Sequence, residues 1–191
     1  MAQRADDDGA GPDRLGDRVE GREAGAVELV GPDVVRPLRH AVLRPGGPAD
    51  QARYPGDDDP RSAHAAVRDR AGTVTAVGTV LPEAPAWAPD RAAWRIRGMA
   101  VAPDRRGQGL GTRVLAALVA HAAGHGGGLV WCNARVRARR LYERGGFEGE
   151  GPVFELPGIG PHLTMTRVLA TPPPGGGDTP GLGRPDRPVP T

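Results

Sequence analysis

The chain has 191 residues, enough for one domain with a real core, yet only 38% are hydrophobic while 30 are glycine and 21 proline. Its basic residues are all arginine, and a formal net charge of +2 is too small to argue for a nucleic-acid binder by itself. The single cysteine, Cys132, excludes a disulfide framework, and no run of 18 apolar residues is present to span a membrane.

The start of the chain, "MAQRADDDGAGPDRLGDRVEGREAG", is charged and has no apolar stretch of the secretory kind, so a cytoplasmic location is expected. Residues 1–23 and the Pro/Gly-rich 171–191 read as disordered tails around one folded domain, 24–170. Within it, "AVELV" (26–30) reads as a strand, and "PDVVRPLRHAVL" (32–43) has apolar residues at helical spacing despite Pro37. Residues 44–62 form a long loop, a kind more often functional than idle. "AHAAVRD" and "VTAVGTVL" flank "RAG" as an antiparallel hairpin, and "AAWRIRGMAV" (92–101) alternates as a strand. "LGTRVLAALVAHAAGHG" (110–126) is an amphipathic helix closed by glycines, and "GLVWCN" (128–133) is a buried strand. "RVRARRLYERGG" (135–146) reads as a basic helix, and a last hairpin turns around "PGIG". The order β-α-β-β-β-α-β-α-β-β describes a mixed α/β layer with helices on the sheet faces.

The stretch "RRGQGLGTR" (105–113) sits between the 92–101 strand and the helix that follows. Amides at a helix N-terminus lack internal partners and attract anions, and glycines let the backbone come close to a phosphate. A dinucleotide fold would need G-x-G-x-x-G early in the chain and an acidic residue about 20 positions later. Here the pattern is G-x-G-x-G, and the next strand ends in Cys132-Asn133. An arginine-glycine nucleic-acid tail is a poorer match, since the stretch is embedded between periodic elements.

Arg106-x-x-Gly109-x-Gly111 after "MAVAP" resembles the acyl-CoA pyrophosphate loop of the GNAT (GCN5-related N-acetyltransferase) superfamily. "NARVRARRLYERGGF" (133–147) is similar to the later motif of that family, with Ala138, Leu141, Tyr142, Glu143, Gly146 and Phe147 in place. One helix and one strand separate the two blocks, as in the family. The ending "VFELPGIGPHLTM" resembles little-studied bacterial members. Many relatives carry Asn seven residues before the tyrosine, where this chain has Arg135; its asparagine is Asn133.

The resemblance implies a GNAT fold, a mostly antiparallel sheet with splayed central strands, and transfer of an acyl group from acetyl-CoA to an amine. It places the pyrophosphate on Arg106, Gly107, Gln108, Gly109, Leu110, Gly111 and Thr112, with Arg113 adding charge. The strand at Met99, Ala100 and Val101 would pair with the pantetheine and polarise the thioester carbonyl. Asn133 would contact the pantetheine from a shifted position, and Arg140, among the arginines of its helix, would meet the CoA phosphate. Tyr142 is the candidate general acid, since a phenol with a pKa near 10 stays protonated at neutral pH. Glu83 and His162 are the two candidates for the base that frees the amine. Cys132 lies in an apolar strand and is read as a small buried hydrophobe rather than a nucleophile. His121 and His125 have i,i+4 spacing but lack the Glu of a zinc motif, so no metal is expected. The acceptor is a small-molecule or peptide amine, with no nucleic acid and no membrane as partner, and homodimerisation is left open. A non-catalytic acyl-CoA-binding module and an arginine-rich nucleic-acid binder are the competing readings.

Overall fold

A computed structural model describes residues 25–170; the tails expected at 1–23 and 171–191 lie outside the described residues. Strand β1 (Val27–Val30) leads into helix α1 (Pro32–Leu43). Pro32 opens that helix where a missing N–H costs nothing, and Asp33 adds favourable charge to the first turn. The helix continues through Pro37. The loop expected at 44–62 carries a short 3₁₀ turn, Ala49–Ala52, and sends Asp57 into the interior.

The hairpin β2 (Ala63–Arg68) and β3 (Val74–Pro82) is followed by β4 (Ala93–Val101) and helix α2 (Leu110–Gly124). Strand β5 (Leu129–Arg135) runs two residues beyond the expected Asn133. The basic helix expected over 135–146 is therefore shorter. Arg135 still pairs with His162 as a strand residue, 136–138 is a 3₁₀ turn, and only Arg139–Arg144 forms α3. Strands β6 (Glu148–Leu156) and β7 (Gly160–Val168) close the chain as the expected hairpin.

The seven strands form one sheet in the order β1-β2-β3-β4-β5-β7-β6. Every pairing is antiparallel except β4 with β5. Because side chains alternate along a strand, the two faces carry separate cores. Trp94 and Ile96 of β4, Val130, Cys132 and Ala134 of β5, and Leu163 and Met165 of β7 pack with α2 and Tyr142. On the other face, α1 covers Ala66, Val77 and Ala100 through Val35 and its neighbours.

Two features of β4 open the sheet. Its parallel pairing with β5 covers only Ala93↔Leu129, Trp94↔Val130 and Arg95↔Trp131, after which the strands separate. Against β3, Val77 faces Ala100 while Thr79 faces Arg97, so β4 holds one extra residue there. Gly98 takes that bulge at φ +65°, a conformation that side chains disfavour. The expected mixed, mostly antiparallel sheet with splayed central strands is thus the fold observed.

Candidate active site

The gap between β4 and β5 is a cleft of about 630 Å³ that passes from one face of the sheet to the other. Met99, Ala100 and Val101 line one side; Asn133, Ala134 and Arg135 line the other. Where the strands part, neither supplies backbone partners to the other, so β4 presents free ladder positions to anything lying in the cleft.

At the open end lies the glycine stretch. Gly109 caps α2 in the left-handed conformation, φ +75°, with no side chain bonded to the helix N-terminus. The first intrahelical bond runs from the Arg113 amide to the Gly109 carbonyl, which leaves the amides of the first turn unpaired. A Cβ added at Gly107 or Gly109 would meet nothing within 4 Å, so the space over the loop is open. Exposed amides, an uncapped helix and adjacent arginines fit a pyrophosphate-bearing group. Of the expected contacts, Arg106, Gly107 and Gly111 line the cleft, as does Arg140 of α3. Gln108 and Leu110 line a neighbouring hollow, together with Arg113, whose guanidinium packs by Gly25. Gly109 and Thr112 line neither and would contribute through their amides.

The side chains nominated for proton transfer fall in different places. Tyr142 comes from α3 on the α2 side of the sheet, is 5% exposed and lines the cleft. Its ring packs edge-on against Phe147, and its hydroxyl interacts with the Cys132 thiol. Burial, reinforced by Cys132, holds the phenol pKa well above its ordinary value. The same burial pushes the Cys132 thiol up to about 12 despite the opposing influence of Tyr142, so this cysteine is a neutral thiol at physiological pH.

His162 reaches the cleft from β7 and is buried. Its Nδ1 lies 2.8 Å from the Gly160 carbonyl oxygen. A carbonyl only accepts, so Nδ1 carries the hydrogen and Nε2 of the neutral ring is free to accept one. Glu83 does not line the cleft: its carboxylate is ion-paired with Arg95 at 2.6 Å, and its carbonyl accepts from the Trp131 indole. Asn133 lines the cleft with its amide oxygen accepting from the Thr164 hydroxyl at 3.2 Å. His121 and His125 stack on each other at 4.0 Å beside Trp94, and no group of three metal-ligating side chains occurs among the described residues.

Residues 44–62, expected from the sequence to be a functional loop, supply a wall of the cleft through side chains that the sequence did not single out. Tyr54 lines the cleft with its ring held between two guanidiniums, Arg39 at 4.4 Å and Arg97 at 4.5 Å. Arg39 is fully buried; it donates to Asp57 at 2.6 Å, to the Ala52 carbonyl at 2.8 Å and to Thr79 at 2.6 Å. The acidic run "DDDP" was the one local signal, but which carboxylate turns inward depends on a helix 18 residues away.

Comparison with known proteins agrees with this fold. The Acetyltransferase (GNAT) family matches residues 35–147. The chain belongs to the GNAT acetyltransferase family. It is 32% identical over 134 residues to the uncharacterized N-acetyltransferase YitI of Bacillus subtilis, covering 70% of this chain and 89% of that protein. Its fold is that of Escherichia coli ElaA, at 18% identity and a TM-score of 0.61 over 75% of this chain and 99% of the other. It is also that of a Sinorhizobium meliloti phosphinothricin acetyltransferase solved with AcCoA, at 18% identity and a TM-score of 0.60, covering 81% of this chain and 95% of that one. Among the described residues no helix is long and apolar enough to cross a membrane.

Proposed function

We propose that this GNAT protein transfers the acetyl group of acetyl-CoA to the amine of an acceptor by direct attack inside the β4–β5 cleft. The observation that carries the reading is the parting of β4 and β5 after Arg95 and Trp131, with the uncapped N-terminus of α2 at its open end. Acetyl-CoA, when bound, supplies the activated thioester. The amides from Gly107 to Thr112, with Arg106, hold its pyrophosphate, and Arg140 adds positive charge from α3. The unpaired edge of β4 at Met99–Val101 orients the pantetheine and places a backbone N–H where the carbonyl oxygen gains negative charge. Asn133 lines the facing wall.

The acceptor arrives as an ammonium and must shed one proton before its lone pair attacks. His162 Nε2 takes that proton on this reading, since it lines the cleft with no hydrogen-bond partner among the described residues, whereas Glu83 is tied to Arg95 outside it. A C–N bond forms, the C–S bond breaks, and the Tyr142 hydroxyl protonates the departing sulfur. The second amine proton restores the Tyr142 phenol as the product nitrogen becomes neutral, so the balance is one amide, one thiol and one proton released by way of His162. Holding both reactants in one cleft supplies much of the rate.

The test is thiol release from acetyl-CoA over amines, amino acids, polyamines, aminoglycosides and peptides, run beside Tyr142→Phe. Turnover that falls about 100-fold or more in kcat in the variant, with acetyl-CoA binding retained, is the expected result. Unchanged turnover would remove the tyrosine from the acid role. Tight CoA binding without turnover of any acceptor would leave a binding module.

A further inference from the structure

Resting on that transferase reading, we propose that the acceptor is an amine carrying its own carboxylate, held by Arg97, Arg135 and Arg44 on the α1 face of the cleft. The cleft is lined by arginines and by no aspartate or glutamate. Four of them, Arg106, Arg137, Arg140 and Arg144, come from the loop after β4 and the segment 136–144, at the phosphate end. The other four are placed differently. Arg95 and Arg97 alternate with Trp94 and Ile96, and Arg135 alternates with Cys132 and Ala134, so all three point away from the α2 core. Arg44 follows α1 and lies on that same side.

Charge balance separates these four. Arg95 has Glu83. The other three form no ion pair with a carboxylate among the described residues, although Glu83 and Asp57 act on Arg97 from a distance. Arg97 donates to the Pro55 carbonyl at 3.2 Å and lies on the Tyr54 ring. Arg44 and Arg135 both donate to one carbonyl oxygen, that of Leu43, at 2.9 and 3.3 Å. Two guanidiniums converging on a single neutral oxygen repel each other, and an anion between them would convert that repulsion into attraction. Burial and the neighbouring arginines accordingly hold the affinity of Arg97 and Arg135 for their protons below the ordinary value.

A polycationic acceptor would meet only like charge here, while a carboxylate-bearing amine brings the missing counter-ion. The same field has a chemical consequence. Guanidiniums near an ammonium disfavour its charged form, so the site that anchors the carboxylate also eases loss of the amine proton to His162. Tyr54 and the apolar Leu156 and Ile159 wall the site and set what side chain the acceptor carries.

The experiment compares kcat/KM for free amino acids with that for their C-terminal amides and for the matching amines without a carboxylate, in wild type, Arg97→Gln and Arg135→Gln. A preference for the carboxylate of about 30-fold or more is expected, lost in each variant through acceptor KM with acetyl-CoA KM unchanged. A second measurement needs no turnover: N-acetyl amino acids should raise the melting temperature of the CoA-saturated protein, and Arg97→Gln should abolish the shift. Faster turnover of polyamines or of the amides would overturn the proposal while leaving the transferase reading intact. So would a rise in acetyl-CoA KM in the variants, which would assign these arginines to CoA. Failure of the transferase reading shows separately, as absence of CoA binding or of thiol release with every amine.

Discussion

Arg39 and Asp57 form an ion pair at 2.6 Å with both side chains wholly shielded from water. The pair joins α1 to the segment 44–62 and, through Arg39, fixes the ring of Tyr54 from behind. Asp57 also accepts from the Tyr54 amide at 3.0 Å, so one carboxylate anchors the wall of the cleft by both backbone and side chain. Asp57→Asn leaves Arg39 buried and uncompensated, which costs about 3–5 kcal/mol. Denaturant unfolding should show that loss. At temperatures where the variant stays folded, acceptor KM should rise more than acetyl-CoA KM if Tyr54 walls the proposed acceptor site.

His64 belongs to the same cluster. Its Nε2 donates to the Asp57 carbonyl at 2.9 Å, and its Nδ1, 2.7 Å from Thr79, accepts the hydroxyl hydrogen while Thr79 accepts from Arg39. Burial lowers its pKa, with Arg39 and Arg36 acting in the same direction against the Asp57 carbonyl and carboxylate. The folded protein therefore binds this proton less readily than the unfolded chain, whose histidine titrates near 6.5. Stability from this site is complete above that pH and falls as pH drops below it, until the lowered folded value is passed. The slope is at most about 1.4 kcal/mol per pH unit. Chemical denaturation from pH 8 to 5 should show the decline, and His64→Gln should flatten it.

Gly98 is held by sterics as well as by backbone conformation. A Cβ there would lie 2.6 Å from Arg39 Nε, and the residue sits at φ +65°. Gly98→Ala adds about 1–3 kcal/mol of backbone strain to that collision. It should lower stability and also weaken acetyl-CoA binding, since the bulge sets the course of Met99–Val101 along the cleft. Calorimetric titration with acetyl-CoA separates the two effects.

Cys132 should be chemically silent. With its thiol pKa at about 12 and its side chain buried, iodoacetamide at pH 8 should label it only as the protein unfolds. Cys132→Ala should keep most of the turnover, because the proposed direct transfer uses no acyl-cysteine. Loss of a mass-detectable acyl-enzyme in that variant would contradict direct transfer.

Much of the fold could be read from the sequence because its signals are local. The glycines at 107, 109 and 111 mark the start of a helix with an apolar stripe, and "LYERGGF" follows one strand later. What escaped depended on distant partners. Arg135 reads locally as the start of a basic helix, but pairing with His162, 27 residues on, keeps it in β5 and turns it away from the α2 core. The inward turn of Asp57 needs Arg39 and Thr79, and the counter-ion of Glu83 comes from a different strand. Neither leaves a periodic trace along the chain.

The central claim, that acetyl-CoA lies between β4 and β5 with its pyrophosphate on the start of α2, is tested most directly by amide hydrogen exchange with and without saturating acetyl-CoA. Slower exchange at Met99–Val101 and across Gly107–Thr112, with β1 and β6 unaffected, is the result this account predicts. Saturable binding that leaves those two segments exchanging at their free rates would contradict it.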